Sequence, residues 1–311
     1  VAPLGQIAGT LSRAQQAIHS FQVLDNIMQF PEENLHQVRH VSRAIEKGNV
    51  AFDNVTFKYP EAEAPALENF TLNINQGERV AIIGKIGSGK TTIGRLLTRL
   101  YVPSSGSLLL DGIDIRQYHP AEIRRCVAFV SQDSALFNGS VRENIVLGAP
   151  HVSDELVVRA ADLSGVSEFV RGHPQGFNLP VGEAGRFLSS GQKQAIALAR
   201  SLLLEPEIIF LDEPSGAMDT ASERLLIQRL KSTFKSDQTV IVTTHRSSML
   251  ALANRLIVVD RGKLVADGPR DEVLAMLTRG TRQGSSEAPM APSFQHEEPL
   301  MRAAQVDKIG H

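Results

Sequence analysis

Four short apolar runs constrain this chain most: "RVAII" (79–83), "VAFV" (127–130), "IIFL" (208–211) and "TVIVTT" (239–244). Each has the length of a strand, and stretches with helical spacing separate them. None alternates apolar and polar residues as a strand with one wet face would. Runs of this kind are strands buried on both faces of a mostly parallel sheet, covered by crossover helices. Each is closed by a group able to touch a phosphate, a metal or water: Gly84, then Ser131 and Gln132, then Asp212 and Glu213, then His245. Ligands of open α/β sheets bind at the carboxyl ends of the strands. The fold class is therefore α/β, with these residues gathered at one edge.

The rest of the 311 residues is arranged around that core. Residues 1–30 place Leu4, Ile7, Leu11, Ala14, Ile18, Phe21 and Met28 at three- and four-residue spacing, thickened by Leu24 and Ile27, until Pro31 stops the pattern. This predicts one amphipathic helix whose apolar stripe needs a partner. Residues 31–48 are polar and read as a linker. From 49 the pattern becomes that of strands: "VAFDNVTFKYP" alternates, and "TLNIN" (71–75) repeats the alternation. Past Gly280 the sequence is rich in Ser, Pro, Gln and Glu without period, so 281–311 read as a flexible tail. A net charge of −2 offers no general field for nucleic acid. The single cysteine, Cys126, excludes an internal disulfide and reads as a buried thiol in a reducing compartment. No run of 18 apolar residues and no basic-then-apolar leader occurs in these 311 residues, so the expectation is that the chain as given neither spans a membrane nor is secreted.

"GKIGSGKT" (84–91) fits the pattern G-x-x-x-x-G-K-S/T directly after a strand and before a helix. Gly87 and Gly89 let the backbone wrap a phosphate, Lys90 reaches β- and γ-phosphates, and the Thr91 hydroxyl is placed for Mg²⁺. The nucleotide is assigned the whole loop: Gly84, Lys85, Ile86, Gly87, Ser88, Gly89, Lys90, Thr91 and Thr92. Asp212 would hold the same metal directly or through water, and Glu213 would be the general base for an attacking water. Gln132, which both donates and accepts, suits contact with the metal or its water. His245 falls beside this set, and Tyr59 in "FKYP" is an aromatic able to stack on a base.

A second loop, "GRFLSSGQKQA" (185–195), again leads glycine and serines into a helix but has no lysine among its phosphate-facing positions. With it, seven elements stand in order, and over about residues 49–280 the chain resembles the ATP-binding cassette family. The elements are Tyr59 at the adenine-stacking position, the 84–92 phosphate loop, Gln132, the signature "LSSGQ" (188–192), "IIFLDEP", "SGAMD" (215–219) and His245. The resemblance implies a P-loop NTPase fold with an antiparallel β subdomain and a helical subdomain bearing the signature. It implies ATP and Mg²⁺ as ligands, with Lys90, Gln132, Glu213 and His245 in catalysis and Thr91, Gln132 and Asp212 at the metal. It also implies a second copy bound head to tail, so that Ser189, Ser190, Gly191 and Gln192 close onto the ATP held by the partner. Two phosphate-binding loops in one chain are then two half-sites. The chain departs from the family pattern at Ser190, where glycine is usual, and at Gly216 and Met218, where serine and leucine are usual.

"QDSALFNGSVRENI" (132–145) and "VGEAGRFLSSGQ" (181–192) are similar to exporter cassettes. Only 98 residues separate Lys90 from Leu188, too few for the coiled coil of the DNA-repair branch, and one cassette is present rather than the two of the translation factors. A guanine-reading Asn-Lys-x-Asp tetrapeptide is absent. Residues 1–30 are similar to the cytosolic end of the last membrane helix of type I secretion exporters for RTX adhesins and toxins. The expectation is a half-transporter fragment at the cytoplasmic face of the bacterial inner membrane. Its partners would be its own membrane-spanning domain, a periplasmic adaptor and an outer-membrane channel. A free-standing, non-transport ATPase is the alternative, and its first helix would pack on its own domain.

Overall fold

The structure, a computed structural model, describes residues 2–29, 41, 43–132, 135–216 and 218–283. It opens on helix α1 (Ala2–Met28). Of its described side chains, Ile18, Phe21, Leu24, Ile27 and Met28 are exposed, Phe21 at 72%. No helix among the described residues is long and apolar enough to cross a membrane. Most of the segment read as a linker lies outside the described residues. Its last residues are pinned: Ile45 is buried, and Asp111 accepts backbone N–H groups of Glu46, Lys47 and Asn49 at 2.9 Å each.

The chain then forms β1 (Val50–Phe57), β2 (Leu67–Ile74), β3 (Arg79–Ile83), α2 (Lys90–Leu97), β4 (Ser105–Leu110) and β5 (Ile113–Asp114). Strands β1, β2, β4 and β5 make an antiparallel sheet in the order β2-β1-β4-β5. Their inward residues, Val50, Phe52, Phe70, Leu72, Leu108 and Leu110, share one core with Ile93, Leu96 and Leu97 of α2. The sequence reading placed β1 and shortened β2, but it did not name β4, whose "SGSLLL" has no alternation over its apolar half.

The second half supplies α3 (Pro120–Cys126), β6 (Val127–Val130), α4 (Val141–Ile145), α5 (Asp154–Ser164), α6 (Val166–Val170), α7 (Ser190–Leu202), β7 (Ile208–Asp212), α8 (Thr220–Thr233), β8 (Thr239–Thr243), β9 (Arg255–Asp260), β10 (Lys263–Pro269) and α9 (Arg270–Gln283). Six strands make the central sheet, in the order β10-β9-β3-β8-β7-β6. It is parallel from β9 through β6, and β10 is an antiparallel edge. All four apolar runs are strands of this sheet, and they are buried on both faces. Along β7, Ile208 and Phe210 face the core under α2, whereas Ile209 and Leu211 face a second core with Leu226 and Leu230 of α8.

A third core is helical: Val141, Ile145, Val157, Ala161, Val166 and Val170 close around Ile196 and Ala199 of α7 and Leu203 just after it. The α/β class, mostly parallel sheet, antiparallel sheet and helical segment are thus as expected. The chain divides after Val273 into two compact units. In the second, helix α9 runs to Gln283, and the remainder of the segment read as a tail lies outside the described residues.

Candidate active site

Strand register brings the four closing groups together. Ile82 of β3 and Asp212 of β7 both pair with Thr243 of β8, and Leu211 pairs with Val130 of β6. The residues that follow (Gly84, Gln132, Glu213 and His245) leave neighbouring strands at the same edge.

The 84–92 loop closes on itself through Lys90. Its Nζ donates to the carbonyls of Gly84 at 2.9 Å and Lys85 at 3.0 Å, and the residue is buried. Gly89 caps α2 with φ +105°, a region that side chains disfavour, and a Cβ there would lie 2.6 Å from the Ala66 carbonyl. Gly87 differs: with φ +79° it has nothing within 4 Å of a Cβ position, so the loop is open on that side. Ile86 is fully exposed. Ser88 Oγ is buried and has no hydrogen-bond partner. An orphaned hydroxyl beside a buried lysine and a helix N-terminus is the environment a phosphate group completes. Thr91 opens the same helix and is partly exposed, whereas Thr92 is buried and its hydroxyl lies 3.1 Å from the Tyr59 hydroxyl.

Tyr59 is thereby tethered to α2. Its hydroxyl also accepts from Arg95 Nη1 at 3.2 Å, and its ring meets Phe57 and Tyr101 edge-on at 4.9 and 5.1 Å. The partly exposed ring stands over the first turns of the phosphate-loop helix.

The acidic end of β7 is built tightly. Asp212 is 2% exposed and accepts a hydrogen bond from the Thr243 hydroxyl. Glu213 adopts φ +48°, an uncommon conformation for a residue with a side chain, enforced by its N–H donating to the Thr243 carbonyl at 3.0 Å and hydroxyl at 3.2 Å. This turn directs the Glu213 carboxylate to His245, whose Nδ1 lies 3.1 Å from Oε2. The imidazole is 60% exposed and the carboxylate side chain 15%, so the pair faces outward from a buried base. Gln132 is exposed after β6, and its side chain runs past Gly216, where a Cβ would come 3.9 Å from its amide.

Among the described residues no cluster of three His, Cys, Asp or Glu side chains could hold a metal alone. The candidate donors are one hydroxyl, one amide and one carboxylate: Thr91, Gln132 and Asp212. That set fits a cation such as Mg²⁺, which keeps waters and takes further oxygens from phosphates rather than from an all-protein cage.

The second loop lies apart. Ser189 caps α7 reciprocally, its Oγ accepting from Gln192 N–H at 3.2 Å and its own N–H donating to Gln192 Oε1 at 2.9 Å. The Ser189 hydroxyl keeps its proton to donate elsewhere. Gly191 has nothing closer than 4.0 Å to a Cβ position, so no contact within the chain requires glycine there. Ser189, Gly191 and Gln192 line a cavity of about 300 Å³ with Met218, Ser222 and Arg229, and no residue of the 84–92 loop reaches it.

Sequence reasoning missed a cluster built on buried Glu223 behind His245. Arg246 donates to Glu223 of α8 and to the carbonyls of Met218 at 3.2 Å and Gly216 at 3.1 Å, while the Ser248 hydroxyl donates to the other oxygen of Glu223. Burial pushes the Glu223 carboxyl up, but the Ser248 hydroxyl and Arg246 outweigh that and hold it below its ordinary value. An arginine directly after a strand-end histidine was the only sequence signal for it.

Residues 67–216 match the family described as ABC transporter. The chain is 41% identical over 273 residues to the ATP-dependent lipid A-core flippase of Idiomarina loihiensis, covering 88% of this chain and 46% of that protein. It is 38% identical over 275 residues to the alpha-hemolysin translocation ATP-binding protein HlyB of Escherichia coli, covering 88% and 38%. It is 37% identical over 274 residues to the leukotoxin translocation ATP-binding protein LktB of Mannheimia glucosida, with the same coverages of 88% and 38%. Among solved structures it is similar to a bacterial Atm1-family ABC exporter with ATP bound, at a TM-score of 0.75 and 32% identity, over 88% of this chain and 48% of that one. The chain spans less than half the length of these relatives.

Proposed function

Because this chain carries the ATP-binding domain of an ABC transporter, we propose that it is the ATP-driven clamp of an exporter, hydrolysing ATP to ADP and phosphate at the edge of its central sheet. The observation that carries this reading is the convergence of the 84–92 loop, Gln132, the Asp212–Glu213 turn and His245 on neighbouring strand ends.

Lys90, the Ser88 hydroxyl and the N-terminus of α2 bind the phosphates, and Tyr59 supports the base. Thr91, Gln132 and Asp212 would hold Mg²⁺, which when bound spreads the phosphate charge. Glu213 Oε accepts the proton of the attacking water, and His245, anchored by that same carboxylate, faces the γ-phosphate and stabilises the charge that develops there. A second copy completes the site with Ser189 and Gly191, whose hydroxyl and N–H groups are presented by α7. A monomer then binds ATP and turns it over poorly.

Two surfaces support an attached membrane domain. The described part of the stripe on α1, Ile18 to Met28, is exposed, unlike that of a helix packed on its own domain. A groove of about 630 Å³ between the sheet and the helical core is lined by exposed Leu100, Leu147 and Leu204 together with Arg124, Arg125 and Arg200. Burial lowers Arg200 from its ordinary value, so an acidic segment seated there would relieve an unfavourable charge. We assign the chain to a half-transporter at the cytoplasmic face of the inner membrane, of the type I secretion kind, with a periplasmic adaptor and outer-membrane channel as the further partners. The 41% identity to a lipid A-core flippase favours lipid export as the second reading.

The test is sedimentation of the Glu213→Gln protein with and without Mg-ATP. ATP is expected to convert monomer to dimer, and a Ser189→Ala/Gly191→Ala pair is expected to prevent it. Turnover by Glu213→Gln should fall by about 10²–10⁴-fold, the usual contribution of a general base. Turnover within about threefold of wild type would remove Glu213 from that role.

A further inference from the structure

Building on the catalytic reading above, we infer that Arg246 is a positioning residue that locks the backbone at Gly216 and at Met218 to the Glu213–His245 pair, so that their seating sets the geometry of the two catalytic side chains.

The contacts form a closed circuit. Glu213 is tied to His245 through Oε2 and Nδ1 at 3.1 Å. Its carbonyl accepts the Gly216 N–H at 3.0 Å. From Gly216 the circuit passes to Arg246, whose Nη2 donates to the Gly216 carbonyl and whose Nη1 donates to that of Met218. Arg246 follows His245 directly and returns the circuit to its start. The arginine backbone is fixed as well, its N–H donating to Thr244 Oγ1 at 3.0 Å.

Glu223 fastens this circuit to α8. The residue is 5% exposed, and its two oxygens take Arg246 on one side and Ser248 on the other, so both ends of the 246–248 segment are held by one carboxylate. The helix cannot slide relative to the loop, because Asp219 caps it by accepting the Ala221 and Ser222 N–H groups at 2.9 Å each. A loop containing glycine at 216 has more backbone freedom than one with serine or alanine. The guanidinium restrains it by gripping two of its carbonyls at once, a task for which its planar fork is suited and a lysine ammonium is not. The same loop borders the cavity that holds the signature residues, through Met218. A partner seated on that face would press on the loop and, through Arg246, on His245.

The discriminating variant is Arg246→Lys, which keeps a cation beside buried Glu223 but loses the two-carbonyl grip. Removing the cation altogether leaves a buried carboxylate unpaired and tests folding instead. In steady-state ATP hydrolysis Arg246→Lys is expected to lower kcat between about tenfold and a hundredfold, the scale of a small misplacement of reacting groups. KM for ATP and the thermal midpoint should stay near wild type. In the His245→Ala background the same change should have a smaller further effect, since only the Glu213 arm of the circuit remains. Amide exchange gives a readout independent of activity: the Gly216 and Met218 amides and those at 244–246 should all exchange faster in Arg246→Lys, as one unit. A kcat within twofold of wild type, a loss that appears in KM or thermal midpoint instead, or faster exchange confined to 244–246 would each overturn the inference. If the wild-type chain does not turn over ATP, the catalytic reading is what fails, and the exchange experiment still decides the link.

Discussion

Gly94 is where the phosphate loop depends most directly on packing, and Gly94→Ala tests that dependence. The residue lies mid-way along α2, four positions after Lys90. Its bare α-carbon sits on two rings of the central sheet: a Cβ would lie 2.5 Å from Cε2 of Phe129 and 2.7 and 2.9 Å from Cε1 and Cδ1 of Phe210. Carbon atoms in contact need about 3.5 Å, so helix and rings must part by roughly 1 Å. Phe210 is fully buried and meets Phe129 at 5.6 Å between centroids, so it has no room to retreat, whereas Phe129 is partly exposed and lines the groove with Leu147 and Leu204.

Alanine gains about 1 kcal/mol of helix propensity over glycine, while overpacking a filled core costs about 1–3 kcal/mol. Here two rings must yield, so the upper end applies and the net loss is about 1–2 kcal/mol. Across a domain of this size that is a fall of roughly 5 °C in thermal midpoint. In urea the midpoint should drop with an unchanged slope. ATP affinity should weaken as well, because α2 carries Lys90 and Thr91 outward when it lifts off β6 and β7. If Gly94→Ala is as stable as wild type and binds ATP equally well, the rings yield freely and the seat of α2 is not what holds the loop.

Two further outcomes follow from groups distant from the site. Burial pushes the Asp111 carboxyl up, but the N–H groups of Lys47, Asn49 and Glu46 outweigh that and hold it below its ordinary value. A carboxyl lowered on folding stabilises the native state above its unfolded pKa of about 3.9 and loses that contribution as pH falls through the folded value. Asp111→Asn should therefore lower stability at pH 7 and flatten the acid limb of the stability curve; an unaltered acid transition would show that this carboxylate does not tie residues 46–49 to the domain. The Cys126 thiol is buried and pushed up to about 11, first by burial and then by Glu207. At pH 8 a thiol reagent is expected to label Cys126 only in denaturant, and rapid labelling of the folded protein would contradict its burial.

The central sheet was legible because burial on both faces writes continuous apolar runs, and β3 and β6 end where those runs end. Strand β10 carries no such signature: "KLVADGP" pairs only as an edge and is largely exposed; β9 does carry one in "LIVV" (256–259) but was not named. The 84–92 loop and the acidic turn were legible because spacing along the chain marks them, whereas Tyr59 was singled out only through the family resemblance. The bond between Tyr59 and Thr92 and the grip of Arg246 on Gly216 were not, since each joins residues about 30 positions apart through side chains whose types are ordinary on a surface. The positive φ at Glu213 was hidden for a related reason: the neighbouring strand imposes it through Thr243, against the local preference of glutamate.

Helix α7 joins the two halves of the molecule by being buried on two sides. Ile196, Ala199 and Leu203 belong to the helical core, while Ala197, Leu198 and Leu202 belong to the core beneath the central sheet. A helix locked into two cores moves as a rod. Its first turn presents Ser189 and Gly191, and at its other end Leu204 lines the groove with Leu100 and Leu147. Thirteen residues set these ends roughly 20 Å apart. In its last turn, Arg200 donates to the carbonyls of Asn144 at 2.8 Å and Ala135 at 3.2 Å, which ties the rod to the segment that leads into α4. Under the function proposed above, a segment docked in the groove would act on Ser189 along α7 and on Asn144 and Ala135 through Arg200. Both proposed half-sites of one chain would then respond to the same docked segment.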